Sequence, residues 1–377
     1  MIFSVGTEAE LAEAIAGLEA PVVLRGGGTR PVGRSWAQDV LDLSGLSGVV
    51  EYEPGALTLV AQAGTTLEQI EQLLAKENQR LAFEPMDHRR VLGTAGAPTL
   101  GGLLAANVSG PRRIAVGACR DFALGLRFVD GAGRVLKNGG RVMKNVTGYD
   151  LVKLMAGSWG TLGAISEVSL KVLPCPETEV TLAVHVQDAA TAVLAMSAAL
   201  GAPYEVTGAA RGPTGGAVYL RLEGFAPSVA YRLSELEALM SRFGELERLE
   251  APASRDLWVQ LRDLVAFAPL PCVTRVSLRP SQMPVFLQAA ERAGLTFESQ
   301  LDWGGGLAWL GTQDAAVADF AQGFCAAQGG HATRIKVLPD VAERVFQPEP
   351  EPIARLTAGL RARFDPKGVL NPGLMVS

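Results

Sequence analysis

Two glycine runs constrain this chain more than any other feature of its sequence. The first is Arg25-Gly26-Gly27-Gly28-Thr29-Arg30; the second opens at Pro98-Thr99-Leu100-Gly101-Gly102 and closes at Asn107-Val108-Ser109-Gly110. Each bares consecutive peptide units, so that backbone amides can converge on an anion. The second places its glycines at the start of a short helix, where the first amides have no partner within the helix. Arg25 and Arg30 add positive charge to the first. The chain holds 43 glycines in 377 residues, against an average usage of about 7%, and much of the surplus falls in these runs and in turns between short strands.

Neither run fits the commonest phosphate-binding patterns. Gly26-Gly27-Gly28 leads into Thr29-Arg30-Pro31, without the third glycine and the smooth helix entry of a dinucleotide-binding βαβ turn. Gly28-Thr-Arg-Pro-Val-Gly33-Arg34-Ser35 comes near a P-loop, but Arg34 stands where lysine is required and Pro31 removes an amide from the cradle. Hydrolysis of ATP or GTP is disfavoured.

Composition narrows the remaining classes. Hydrophobic residues make up 48% and charged residues 19%, a globular composition long enough for two domains with cores of their own. Lys plus Arg number 34 against 39 Asp plus Glu, a net charge of −5, so nothing global draws the chain to nucleic acid or an anionic membrane. Cys119, Cys175, Cys272 and Cys325 form no CxxC pair, which argues against a bound metal, whether structural zinc or an iron–sulfur cluster. Met1-Ile2-Phe3-Ser4 runs into a charged amphipathic helix rather than a secretory leader, and a cytoplasmic location is the expectation. Residues 91–111 carry no charge, yet hold too many glycines and prolines for a bilayer span and read as buried loop and short helix.

The pattern of elements changes once along the chain. Thr7 and Glu10 form a capping box for a first helix, residues 21–24 read as a buried strand entering the first glycine run, and residues 49–52 and 57–61 as a hairpin. Thr65 and Glu68 are expected to cap a second helix that buries Leu67, Ile70, Leu73 and Leu74. Short strands and glycine turns follow to residue 172, and Leu173-Pro174-Cys175-Pro176 punctuates the chain. Beyond it, strands at 181–186 and 273–278 each precede a helix, with further strands at 217–222 and 307–310 and helices at 228–243 and 314–328. This spacing predicts a sheet covered by helices, of ferredoxin-like type. The Pro-Glu-Pro-Glu-Pro run at 348–352 reads as an extended linker before a final helix over 353–364.

Taken together, the motifs carry a family resemblance. In order they are the two glycine runs, Arg120-Asp121 with Leu126-Arg127-Phe128-Val129-Asp130-Gly131-Ala132-Gly133, Lys144-Asn145-Val146-Thr147-Gly148-Tyr149-Asp150-Leu151, Gly160-Thr161-Leu162-Gly163-Ala164-Ile165-Ser166-Glu167, and Asp365-Pro366 to Pro372-Gly373. The chain resembles the FAD-binding family of vanillyl-alcohol oxidase and p-cresol methylhydroxylase, and within it the FAD-binding companion subunits of bacterial glycolate oxidases. The resemblance implies an α+β fold: a two-subdomain FAD-binding domain over residues 1–173, a ferredoxin-like α/β cap domain over 174–336, and a C-terminal segment, 337–377, that returns to the first domain. It implies that Arg25, Gly26, Gly27, Gly28 and Thr29 hold the FAD diphosphate, that Pro98, Thr99, Leu100, Gly101, Gly102, Asn107, Ser109, Gly110 and Gly117 form the second FAD-binding run, and that Gly163 and Ile165 meet the cofactor through their backbone. Thr29 stands where some members attach FAD through a histidine, which implies non-covalent FAD.

The implied activity is flavin-dependent oxidation of a small 2-hydroxy acid, glycolate to glyoxylate, in a complex with a catalytic FAD subunit and an iron–sulfur subunit, with membrane contact only through those partners. Two departures bear on it. Ser158-Trp159-Gly160-Thr161-Leu162-Gly163 lacks the glutamate many relatives carry, and the paired histidines of catalytic 2-hydroxy-acid members are missing: the chain has only His88, His185 and His331. His331, beside Arg334 and Lys336, and Tyr149 are the candidates left for proton chemistry. His88, between Asp87 and Arg89-Arg90, reads as solvated. A self-sufficient FAD-dependent oxidoreductase for another hydroxy acid or alcohol, and a non-enzymatic assembly subunit, are the competing expectations.

Overall fold

The computed structural model describes residues 1–140, 148–213, 216–338 and 344–375. Helix Glu8–Ala16 starts as expected, with the Thr7 hydroxyl accepting from the Glu10 amide at 3.2 Å and the Glu10 carboxylate accepting in return from the Thr7 amide. The second capping box lies one residue later than expected, at Thr66 and Gln69. The reason is that the Thr65 hydroxyl is engaged with both backbone groups of Gly48, so the extended Thr66 becomes the cap of helix Leu67–Ala75.

Strands β1 (Ile2–Ser4), β2 (Val22–Arg25) and β3 (Asp39–Asp42) form a parallel sheet with β3 central. The far end of the chain lies along the open edge of β2: the Val22 amide donates to the Val369 carbonyl at 2.8 Å and the Leu24 amide to Asn371 Oδ1 at 2.7 Å. Strands β4 (Val49–Glu53) and β5 (Thr58–Gln62) make the expected hairpin. With β7 (Ala123–Val129), β8 (Val135–Gly139) and β9 (Ala164–Lys171) they build an antiparallel sheet in the order β4-β5-β9-β7-β8, while β6 (Gln79–Arg80) pairs with β10 (Leu173–Pro174).

The third sheet contains β11 (Thr178–His185), β12 (Gly208–Arg211), β13 (Ala217–Gly224), β14 (Glu245–Leu249), β15 (Cys272–Ser277), β16 (Glu298–Asp302), β17 (Leu307–Thr312) and β18 (His331–Lys336). Its order is β14-β11-β13-β12-β16-β17-β15-β18 and every pairing is antiparallel. Each half is a βαββαβ unit, with helices Ala189–Leu200 and Ala226–Met240 in the first and Met283–Arg292 and Ala316–Gln328 in the second. The expected ferredoxin-like layer is thus two such units set edge to edge, joined where Arg211 of β12 faces Leu301 of β16. Alternation gives the sheet two faces: Val276, Ala308 and Leu310 pack toward the helices, whereas Val273, Leu307, Trp309 and Ile335 join the core of the N-terminal part. Among the described residues, no helix is long and apolar enough to cross a membrane.

A buried ion network ties this sheet to the N-terminal part. Both terminal nitrogens of Arg221, on β13, donate to the Glu84 carboxylate at 2.8 Å, while Arg112 makes a bidentate pair with Glu223, also on β13, and Arg80 reaches Glu223 at 2.8 Å. The guanidiniums overcome the desolvation penalty and hold both carboxyls down to about 2. A folded value below the unfolded one means that the stabilisation is complete above the ordinary glutamate range and is lost as pH falls through it toward about 2. Removing one member strands the others: Glu223→Gln is expected to lower unfolding free energy by about 3–5 kcal/mol and to flatten the acid side of the stability profile. Denaturant unfolding at pH 7 and at pH 3 checks both, and a variant as stable as wild type at both would contradict the role given to the network.

Candidate functional site

Strand β2 delivers the chain at Arg25 into the first glycine run, which lies directly on the segment that opens the second. A Cβ on Gly27 would sit 1.6 Å from the Ala97 carbonyl oxygen, and one on Gly26 would sit 2.4 Å from Thr99 Oγ1. Only glycine permits these approaches. Gly28 then turns the chain at φ +66°. Thr99 caps helix Leu100–Ala105, accepting from the Gly102 amide at 3.4 Å.

The two runs enclose a cavity of about 400 Å³. One wall is Arg25, Gly26, Gly27, Gly28 and Thr29, another is Thr99, Gly101 and Gly102, and Gly163 and Ile165 complete it. A further cavity of about 450 Å³ opens beyond the same loop, toward Asp42, Thr66 and Gln69. The site therefore threads past the glycine loop, a shape suited to an elongated ligand with an anionic centre.

The remaining expected residues of the second run lie outside the cavity walls and hold its surroundings in place. The Pro98 carbonyl accepts from the Leu67 amide at 2.9 Å, and Leu100 is buried in the core. Asn107 accepts from the Arg120 amide at 3.1 Å, Ser109 from the Cys119 amide at 3.0 Å, and Gly110 crowds the Glu84 carbonyl, while Gly117 turns the chain at φ +97°. The Lys144 to Thr147 part of the recognised motif lies outside the described residues.

Two further wall residues, Arg30 and Asn371, take their roles from partners distant in sequence. Arg30 was noted for its charge alone, yet it ties the two runs together, donating to the Gly102 carbonyl at 3.0 Å and, through Nε, to His88 Nδ1 at 3.2 Å. Desolvation pulls its guanidinium down to about 10, so it stays charged at neutral pH. Asn371 closes the cavity from the C-terminal segment, with Oδ1 on the Leu24 amide and Nδ2 donating to the Trp159 carbonyl at 2.8 Å. Its position in Asn371-Pro372-Gly373, a turn signal, was the available clue.

The histidine expectations change. His88 is buried, not solvated, because Asp87 pairs with Arg89 at 2.7 Å and leaves the imidazole directed inward, where burial and the Arg30 charge hold its pKa well below the ordinary value. His331 begins β18, exposed and opposite Ser277. Neither it nor Tyr149, which is 88% exposed, lines the cavity. The cations beside His331 are engaged elsewhere: Arg334 pairs with Asp319 at 2.5 Å, and Lys336 donates to the Ala268 carbonyl at 2.9 Å. His185 stands exposed on β11, 3.6 Å from Glu247.

Residues 1–139 match the model of an FAD binding domain family. The chain is 34% identical to glycolate oxidase subunit GlcE of Escherichia coli over 95% of its own length and 93% of that protein. It is 33% identical to glycolate oxidase subunit GlcD of Bacillus subtilis over 43% of this chain and 34% of that one. A solved alkyldihydroxyacetonephosphate synthase aligns with 98% of this chain and 76% of its own at a TM-score of 0.69 and 15% identity, a likeness of fold. The expected α+β cofactor-binding fold is borne out. An identity of 34% sustained over nearly the whole of both proteins places the chain in the FAD-binding family to which glycolate oxidase subunit GlcE belongs.

Proposed function

We propose that this chain is the FAD-carrying companion subunit of an assembly that oxidises glycolate to glyoxylate, working with a catalytic flavoprotein and an iron–sulfur subunit. The observation that carries the reading is the contact of the two glycine runs around one cavity, in a chain collinear with GlcE. The side-chain-free approach at Gly26 and Gly27, the Arg30 charge and the elongated site fit a dinucleotide with a central diphosphate, with Arg25 beside it paired to Asp42 at 2.6 Å. Arg25 to Thr29 with Thr99, Gly101 and Gly102 would hold that diphosphate, and Gly163 and Ile165 would meet the cofactor through backbone groups. Thr29 offers no imidazole for covalent attachment, so FAD is held non-covalently. When bound, FAD supplies a two-electron acceptor for hydride from a CH–OH carbon.

The chain's own groups do the holding. Arg30 remains a cation at the meeting of the two runs, and His88 Nδ1 lies 3.2 Å from its Nε and 3.3 Å from the Met86 carbonyl. The partners follow from what the sequence lacks: the paired histidines of catalytic 2-hydroxy-acid relatives and any CxxC pair for a cluster. The division at residues 173 and 336 belongs to the same proposal, supported by the eight-stranded sheet between Thr178 and Lys336. So does a cytoplasmic location with membrane contact through partners only.

The purified chain is expected to show the two visible absorbance bands of oxidised flavin. Gly27→Val, which drives a side chain into the Ala97 carbonyl, is expected to abolish them, whereas Gly55→Ala, at a position with open space around it, leaves them unchanged; retention of flavin by Gly27→Val would refute the cradle. Under anaerobic conditions, glycolate is expected to leave the flavin of the isolated chain oxidised on the timescale at which the assembled complex is reduced. Rapid bleaching of the isolated chain would favour a self-sufficient oxidoreductase, and a colourless chain that still assembles would favour a structural subunit.

A further inference from the structure

The seam between the eight-stranded sheet and the N-terminal part treats its cations unequally. Arg80, Arg112 and Arg221 are matched to Glu84 and Glu223. Arg113, the next residue after Arg112, is not. Its guanidinium lies over the Trp303 indole at 4.5 Å from the ring centroid, and Arg275, from β15, lies over the same ring at 5.1 Å and near Trp309 at 5.9 Å. Among the described residues, neither side chain makes a hydrogen bond or comes within 4.0 Å of a carboxylate. Cation–π contact offsets part of the desolvation of a guanidinium, but two like charges on one ring repel each other. Burial and Arg113 together pull Arg275 down to about 10.

The ring that holds them is itself under constraint. Trp303 adopts φ +53°, a left-handed conformation that a bulky residue rarely takes. It is kept there by two contacts, its Nε1 donating across the seam to the Gly110 carbonyl at 3.1 Å and its amide donating to Asp302 Oδ1 at 2.6 Å. Asp302 is the nearest acid by influence on Arg275, yet it is buried, and that burial raises its carboxyl to about 7. Asp121 bears on Arg113 in the same way, offset by Arg120, and neither acid comes within 4.0 Å of a guanidinium of the pair. Strained backbone and uncompensated charge at a seam between two folded layers are features that a ligand relieves. The Arg275 charge adds to burial and Arg30 in lowering the His88 pKa, and the His88 ring accepts from Arg30 of the cavity wall.

We propose that Arg113 and Arg275, held on the Trp303 indole, form a binding site for a small carboxylate of the 2-hydroxy- or 2-oxo-acid class. A carboxylate accepts two parallel hydrogen bonds from a guanidinium and supplies the counter-charge the pair lacks. The choice of ligand class, though not the existence of the anion site, rests on the functional reading above. The position replaces the one expected at His331, Arg334 and Lys336, whose cations have protein partners.

The test uses the full-length, FAD-loaded chain and calorimetric titration, which needs no turnover. Glycolate, glyoxylate and oxalate are the probes, with ethylene glycol as the uncharged control and sulfate as the non-carboxylate anion. Saturable binding of the carboxylates is expected, with no binding of ethylene glycol and weaker binding of sulfate. Arg113→Gln and Arg275→Gln are each expected to weaken binding roughly tenfold or more, and Arg275→Lys to fall between. Because each glutamine variant removes a charge without a counter-ion, its ligand-free melting temperature should equal or exceed that of wild type, which a purely structural arginine would not allow. Unchanged affinity in both glutamine variants, equal affinity for sulfate, or melting temperatures lowered without loss of affinity would each overturn the site. Flavin absorbance in the same samples separates the two readings: absence of flavin in wild type defeats the functional proposal, whereas retained flavin without carboxylate binding defeats only this inference.

Discussion

The contact between the Gly27 peptide and the Ala97 carbonyl sets the geometry of everything near the cavity. With no room for even one carbon atom between them, the loop after β2 and the segment before helix Leu100–Ala105 form a single bare surface rather than two separate turns. Arg30 spans the same junction with its bond to Gly102, so the polar groups of both runs are aligned before any ligand arrives. Preorganisation of this kind spares binding the cost of ordering a loop. It also explains why both runs carry glycine where they meet: side chains there would keep the runs apart.

A second organising principle is the treatment of charge where the eight-stranded sheet meets the N-terminal part. Glu84 and Glu223 pair with three arginines in a region from which water is largely excluded, and the network resists sliding because each displacement would strand a charge. Glu84, Arg221 and Glu223 fix how β13 sits over the loop that carries Gly110, and Gly110 in turn receives the Trp303 indole. The paired and unpaired arginines are therefore parts of one assembly: the former hold the layers in register, and the latter are positioned by that register.

The local rules were legible in the sequence where they depend on near neighbours. The capping box at Thr7, the hairpin at Glu53-Pro54-Gly55-Ala56 and the four helix-bearing strands of the third sheet all follow from spacing within a dozen residues. The strands that escaped, β12, β14, β16 and β18, read Gly-Ala-Ala-Arg, Glu-Leu-Glu-Arg-Leu, Glu-Ser-Gln-Leu-Asp and His-Ala-Thr-Arg-Ile-Lys. Their apolar pattern is weak, because burial or a charged edge decides their place, and tertiary pairing overrides propensity. The same holds for the site. Glycines announced the cradle, whereas Arg30, His88 and Asn371 gained their roles only through partners 58 to 347 residues away. His88 shows the limit most directly, since three charged neighbours in sequence suggested water and the fold supplied Arg30 instead.

That longest separation has a consequence for how the site is made. The edge of β2 is completed by Val369 and Asn371, and Leu374 joins the cavity wall. During synthesis the glycine loop emerges early, but the wall that Asn371 supplies can reach it only after the chain has grown by the 347 residues that separate Asn371 from Leu24. Contacts of such sequence separation form late, after the loop-closure entropy has been met by the layers between. Closure of the cavity is thereby coupled to folding of the layers between, and a product truncated before Val369 would leave it open along β2.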